Sequence, residues 1–406
     1  MIHFWELSEN RNYIKLEKEF NNYMIRKLKK EGYPYKLRKK FENKVSIRII
    51  KRLSKELKIS LDLFEKNIVW IGGVNSKGLS NPKLPFNLSN REGTRFISSI
   101  VNDGCITKKD KKSQGRLMYD NFDKSLRDSV IKDYMKVFGG KKEEVSFRKN
   151  KNKKYLEFKS VIRDIMEIIL KKKGPKTESN LEVPSFILKK KENMLGWIEQ
   201  TIGDEGEVKF YPKKYRRSIV WRRSLDITAL INKKIIKPIS LRKLSKNLQS
   251  LVQKQKCELI EGEKQMLDIL GIKYKVYNLG IYPTTKGKIR TRWQINISQR
   301  ENLMKLRKLI QIPSKGKDNK FKNLFKGFKR YKEPLKIKTT IMEIGKNNRT
   351  FTSRDLKERL QYKRIGNSNI WLKRFEREGI VKKVKESTYG DGDYRKPAEY
   401  KLTLNR

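Results

Sequence analysis

The sequence predicts an α+β protein in which one αββαββα unit occurs twice, after a small helical N-terminal segment and before a helix-turn-helix that ends in a hairpin. Three observations predict it. Apolar residues recur at helical spacing up to residue 68. From residue 93 the pattern runs helix, two strands, helix, two strands, helix, and the same order returns about a hundred residues later. After Pro334 a third pattern begins.

In chain order, residues 1–75 read as a helical unit. Ile47, Ile50, Leu53, Leu57 and Leu61 fall on one face with Lys and Arg on the others, and KVSIRIIKRLSKELKIS is helix-turn-helix-like. Residues 76–92, rich in Gly, Pro, Asn and Ser and without a period, read as a linker. The first αββαββα unit spans 93–190: a helix over 93–102, strands in CITKK and RLMYDN, a helix over 124–138 stopped by Gly139 and Gly140, strands in EVSFRKN and KYLEFKS, and a helix from Val161. The second spans 191–330. Its helix through Gly196 to Asp204 leads to EVKFY and SIVWRRSL, then to a helical region stopped by Gly271, the strands KYKVYNLGIYP and IRTRWQINI, and two further helices, with an insertion near 231–256. Residues 335–406 give SRDLKERL, a polar turn, NIWLKRFEREG, IVKKVKES, a glycine-rich turn and AEYKLT, the winged helix-turn-helix order. Phe351, Leu356, Leu360, Leu372 and Phe375 are its core by spacing.

Composition narrows the chemistry. Lys and Arg number 100 against 45 Asp and Glu, a formal charge of +55, while 36% of residues are still hydrophobic, so a folded protein with a large positive field and a polyanionic partner is expected. The single histidine, His3, excludes Ser-His-Asp and Cys-His catalysis and nearly every His-ligated zinc site. Cys105 and Cys257 form no CxxC, which removes a zinc ribbon and a disulfide scaffold. The longest apolar run, 67–74, is far short of the roughly 18 residues of a spanning helix, so no membrane partner is expected. The first ten residues are acidic and aromatic, unlike a signal peptide, and an intracellular, cytoplasmic location is expected.

Chemistry therefore falls to carboxylates, lysines and metal ions. The first helix of each copy ends in an acid followed by glycine: Asp103 and Gly104 in SIVNDG, Glu205 and Gly206 in TIGDEG. Such a glycine is expected to take a left-handed turn. Ser98, Ser99, Gly196, Thr201 and Gly203 suit close helix approach, and paired helices would bring both acids together at their tips. Two carboxylates about 5 Å apart repel by about 3 kcal/mol at an effective dielectric near 20, so the pair needs cations. Hard oxygen donors suit Mg²⁺ (or Mn²⁺), and metals that bridge attacking and leaving oxygens cut phosphodiesters.

With these residues the chain resembles the LAGLIDADG (DOD-type) homing endonucleases in their monomeric, two-copy form. FISSIVNDG is similar to the first motif helix and IEQTIGDEG to the second. LPFNLSNREGTRF, RLMYDNFDKSL, VPSFI and WQINISQRENLMKL extend the likeness over 83–328. The resemblance implies that Asp103 and Glu205 hold divalent metal at a hydrolytic centre and that a basic residue from each copy serves the scissile phosphates, with Lys176 and Lys317 the positional candidates. Glu199 and Gln200 depart from the small residues usual in the second motif helix. The implied activity is a metal-dependent, site-specific DNA endonuclease acting as a monomer on both strands of a long asymmetric site in double-stranded DNA. A non-cleaving DNA or RNA binder on the same fold, an intron maturase or a transcription regulator, is the alternative, and structured RNA is an alternative substrate.

In that architecture the strands would lie in the major groove, and outward residues should be basic or polar. The candidates are Arg116, Arg148, Lys153 and Lys159 in the first copy and Arg216, Arg222, Lys286, Arg290 and Arg292 in the second. In the C-terminal module, Ser368, Asn369, Lys373 and Arg374 are placed on the groove side of a recognition helix, with Arg395 and Lys396 in the wing.

Overall fold

The computed structural model describes residues 1–74, 78–107, 116–150, 153–171, 180–211, 216–231, 235, 237–285, 287–325, 334–362, 365–389 and 395–403. The chain forms two compact units, Met1–Leu324 and Phe325–Arg406.

The N-terminal part is not purely helical. It contains β1 (Tyr13–Leu16), α1 (Lys18–Lys30), α2 (Tyr35–Glu42), β2 (Val45–Ser46), α3 (Ile47–Glu56), α4 (Leu61–Lys66), β3 (Ile68–Gly72) and β4 (Leu79–Ser80), and its strands form an antiparallel sheet in the order β2-β1-β3-β4. The strands run two to five residues and pair across long stretches of sequence, Ile14 with Ile71 for example, so they carry almost no local period. The helical face expected from Ile47, Ile50 and Leu53 is buried, and Ser46 and Ser60 cap α3 and α4 by accepting from Ile49 N and Leu63 N. The expected linker is packed structure as well: Leu79, Phe86 and Leu88 are buried and Phe86 bridges to Ile2.

Two further four-stranded antiparallel sheets follow, each with a helix leading in. The first set is α5 (Arg91–Asn102), β5 (Gly104–Ile106), β6 (Leu117–Asp120), α6 (Lys124–Phe138), β7 (Ser146–Asn150), β8 (Lys153–Phe158) and α7 (Ser160–Leu170). The second is α8 (Lys191–Asp204), β9 (Glu207–Tyr211), β10 (Arg216–Asp226), α9 (Lys246–Lys254), α10 (Glu258–Ile269), β11 (Lys275–Pro283), β12 (Ile289–Ile297), α11 (Arg300–Leu309) and α12 (Lys315–Asn323). The strand orders, β5-β6-β8-β7 and β9-β10-β12-β11, follow one scheme. Gly139 and Gly271 stop α6 and α10 at φ 80° and 63°, as their positions predict. Within the insertion, Ile239 bridges to Ile281, and Leu244 and Val252 pack with Ile227, Ile281 and Ile289 over one end of the second sheet.

The C-terminal unit holds α13 (Pro334–Asn347), β13 (Phe351–Thr352), α14 (Ser353–Arg359), α15 (Ile365–Arg377), β14 (Val381–Lys385), β15 (Thr388–Tyr389), β16 (Arg395–Lys396) and β17 (Glu399–Leu402). Its core contains the five residues expected from spacing together with Ile337, Ile341, Val381 and Tyr400. Among the described residues no helix is long and apolar enough to cross a membrane.

Candidate active site

The site is built on the pairing of α5 with α8. Asn90 caps α5 by accepting from Gly93 N at 2.7 Å. Ser98 Oγ donates to Trp197 O at 3.1 Å and lies 3.2 Å from Thr201 Oγ1, so a hydroxyl takes up a carbonyl in the dry seam. A Cβ on Gly196 would overlap Arg91 O and Thr94 Oγ1, so only glycine allows this approach. Glu199, the departure noted in the second motif helix, is buried and accepts from Arg91 (2.5 and 3.1 Å), Arg95 (3.2 Å) and Gln311 N (2.9 Å), closing the far end of the helix pair.

At each helix tip the chain turns into the first strand of a sheet. Neither Gly104 nor Gly206 takes the left-handed turn expected of it; each strand folds back on its own helix, so that a Cβ would sit 2.5 Å from Ile100 Cα or Ile202 O. Close approach, not a positive φ, selects these glycines. The residues just before the acids meet directly: Asn102 Nδ2 donates to Asp204 Oδ2 at 3.3 Å.

Asp103 is half-buried and accepts from Asn121 Nδ2 at 2.6 Å, while Glu205 is exposed. Asp204 differs from both. Its oxygens accept from Tyr119 Oη (2.6 Å) and Gln200 Nε2 (3.0 Å to each oxygen) as well as Asn102. Burial, aided by the negative charge of Asp103, pushes its carboxyl up to about 8 against the pull of those three donors. Burial beside the carboxylates also drives the Tyr119 phenol well above its ordinary range.

Lys317 stands at the same tips, but its ammonium donates to the carbonyls of Gly203 (2.6 Å), Asp204 (3.0 Å) and Ile202 (3.4 Å), capping the C-terminus of α8. Burial lowers its pKa, opposed by Asp204, Asp103, Glu205 and Asp123 around it. Asp123 in turn caps α6 and accepts from Ser314 Oγ at 2.6 Å, tying that cap to the start of α12. Lys176, the counterpart proposed in the first copy, lies outside the described residues, as does Lys286.

Behind the tips, Arg223 of β10 is buried and bonds Glu263 of α10 through Nε (3.1 Å) and Nη2. Glu263 also accepts from the indoles of Trp221 (2.8 Å) and Trp197 (3.3 Å). Burial opposes the Arg223 charge, and Glu263 outweighs it. Arg223 then reaches Asn102 Oδ1 at 2.6 Å and Thr201 Oγ1 at 3.2 Å.

The sheets present basic residues. On β12 every second residue is core, and Arg290, Arg292 and Gln294 alternate outward, partly exposed. Arg292 covers the Tyr282 ring at 4.1 Å, and Arg222 bonds Gln294 at 3.1 Å on the same face. In the first sheet Arg116 and Arg148 flank Glu157 at 3.5 and 2.9 Å. Lys153 and Arg216 stand in β8 and β10 opposite Asn150 and Tyr211, whereas Lys159 is the cap before α7 rather than a strand residue. In the C-terminal unit Asn369, Lys373 and Arg374 are exposed, and Arg395 pairs with Tyr389 in β15–β16. Ser368 does not face a groove: it is buried, and its hydroxyl has no hydrogen-bond partner, because α15 turns it toward the core face shared with Leu372 and Phe375.

Sequence reasoning missed Asn102, Tyr119, Asp204, Arg223 and Glu263. One signal was present. Ile219, Trp221 and Arg223 share the inward phase of a strand, and an arginine in that phase requires a buried anion.

No protein-family model and no curated protein matches the chain. Among solved structures it is similar to the N-terminal LAGLIDADG domain of DUF199/WhiA, at 8% identity over 55% of this chain and 84% of that one, with a TM-score of 0.28. It is also similar to the homing endonuclease I-WcaI bound to its DNA recognition sequence, at 15% identity over 55% and 81%, with a TM-score of 0.30.

Proposed function

We propose that the protein is a divalent-metal-dependent DNA endonuclease of LAGLIDADG type, with two pseudosymmetric units that straddle duplex DNA and a C-terminal winged helix that lengthens the contact. The observation that carries the reading is the meeting of α5 and α8 at their acid-bearing ends, where Asn102 touches Asp204 and Lys317 lies among Asp103, Asp204 and Glu205. A folded protein of charge +55 whose sheets expose alternating arginines fits a polyanion rather than a small substrate.

The donor set fits Mg²⁺ or Mn²⁺. Asp103 and Glu205 offer hard carboxylate oxygens near solvent, while Asp204, with both oxygens occupied by donors, is not available as a ligand. Bound there, the metal would activate water and neutralise the leaving oxygen. The chain's own part is to hold Asp103 through Asn121, to fix the end of α8 through Lys317, and to grip the duplex along the two sheets.

Incubation with Mg²⁺ and DNA from the gene's own neighbourhood, beside Asp103→Asn and Glu205→Gln, tests this. Cleavage by the wild type and its loss in both variants is the expected result. Salt-sensitive binding with no cleavage in any of the three would leave a non-cleaving binder instead.

A further inference from the structure

The five residues missed by sequence reasoning form one continuous chain of hydrogen bonds. It starts at Glu263, passes through Arg223 to Asn102 Oδ1 (2.6 Å), leaves from Asn102 Nδ2 to Asp204 Oδ2 (3.3 Å), and ends where Asp204 Oδ1 accepts from Tyr119 (2.6 Å). The chain draws on two different sheets. Tyr119 lies in β6, whereas Arg223 lies in β10 beside the outward Arg222.

The connections cross over. The first sheet's tyrosine holds a residue of α8, and the second sheet's arginine holds a residue of α5. Asn102 and Asp204 are each one residue before an acid, so the chain fastens the backbone next to both Asp103 and Glu205. Asn102 suits the middle of such a chain because its amide accepts on one side and donates on the other. A third bond, from Nδ2 to Ser98 Oγ at 3.1 Å, fixes which way the amide points. Buried networks of this kind stay ordered because an unmet donor there costs about 1–3 kcal/mol.

We infer that Asn102, Asp204, Tyr119 and Arg223 are positioning residues that lock the two acids into a common geometry, so that both DNA strands are cut in one encounter. The inference rests on the nuclease reading above. In particular Asp204 is assigned to this relay, not to metal ligation.

The test uses the full-length protein, with Tyr119→Phe, which deletes one oxygen and keeps the ring, Asn102→Leu, which keeps the size and removes the bonds to Arg223, Asp204 and Ser98, and the double variant. DNA affinity in Ca²⁺, cleavage of supercoiled plasmid in Mg²⁺, and Mn²⁺ binding by calorimetry are read for each. Expected for both single variants are unchanged DNA affinity and KM, a kcat lower by about ten- to a hundredfold, and a nicked intermediate that accumulates before linear product. The double variant is expected to lose much less than the product of the two single losses, since the residues act as one unit.

Single variants that cut both strands together at the wild-type rate overturn the relay and leave the nuclease reading standing. Multiplicative losses with no nicked intermediate overturn it too, because they mark ordinary packing damage. A wild type that neither cleaves nor binds Mn²⁺ overturns both, since no metal centre then exists to be positioned.

Discussion

The tips of α5 and α8 begin from nearly the same local sequence, an amide or acid, then an acid, then glycine, yet they are held by opposite means. The α5 tip has a neutral Asn102 gripped by the cation Arg223, and its acid is steadied by Asn121. The α8 tip has Asp204, whose carboxyl pKa is raised by desolvation, and its carbonyls are capped by the Lys317 ammonium. The cation meets a side chain at one tip and the backbone at the other. The difference teaches that a repeated motif fixes where two acids stand, while the surroundings decide how each is stabilised.

The comparison can be broken most forcefully at Glu263. Glu263→Leu would strand Arg223 and two indole donors, and a loss of about 3–5 kcal/mol in unfolding free energy is expected from urea denaturation followed by circular dichroism. A loss below about 1 kcal/mol would mean that the α5 tip does not depend on the second sheet.

Asp204 gives a pH signature at the other tip. Its folded pKa is about 8 against an ordinary 3.8, so between these values the folded chain retains a proton that the unfolded chain has released. Stability must then fall as pH rises through that window, by up to about 1.4 kcal/mol per pH unit. Asp204→Asn should flatten the decline between pH 5 and 7.5 in metal-free thermal melts; an unaltered slope would place the titration elsewhere.

Smaller effects sharpen the same contrast. Gly196→Ala is expected to destabilise by about 1–3 kcal/mol, outweighing the roughly 1 kcal/mol by which alanine favours a helix, because the new Cβ collides with Arg91 O. Net stabilisation would show that the helices can separate at no loss. Asn121→Ala, which removes the bonds to Asp103 Oδ2 and from Asp123 N, should lower the unfolding free energy by about 0.5–1.5 kcal/mol and leave the pH slope intact.

Much of this arrangement was readable beforehand where information is local. The strands EVKFY and IRTRWQINI coincide with β9 and β12, and the helix 124–138 coincides with α6, because alternation, helical period and a glycine stop act within a few residues. The N-terminal sheet was not readable, since its strands run only two to five residues and its central pair, β1 with β3, joins residues more than fifty positions apart. Ser368 misled for a related reason: a polar residue on an amphipathic helix reads as outward, and only the packing of α15 shows it buried without a partner.

Composition and short motifs alone establish the charge of +55, the single histidine and the two acid-glycine helix ends, because they need no knowledge of neighbours. Tertiary contacts decide that desolvation raises the Asp204 carboxyl pKa, that Lys317 caps a helix, and that Glu263, Arg223, Asn102, Asp204 and Tyr119 join into one chain. Those residues lie up to 161 positions apart, from Asn102 to Glu263, and the properties of a buried charge depend on partners that sequence distance conceals.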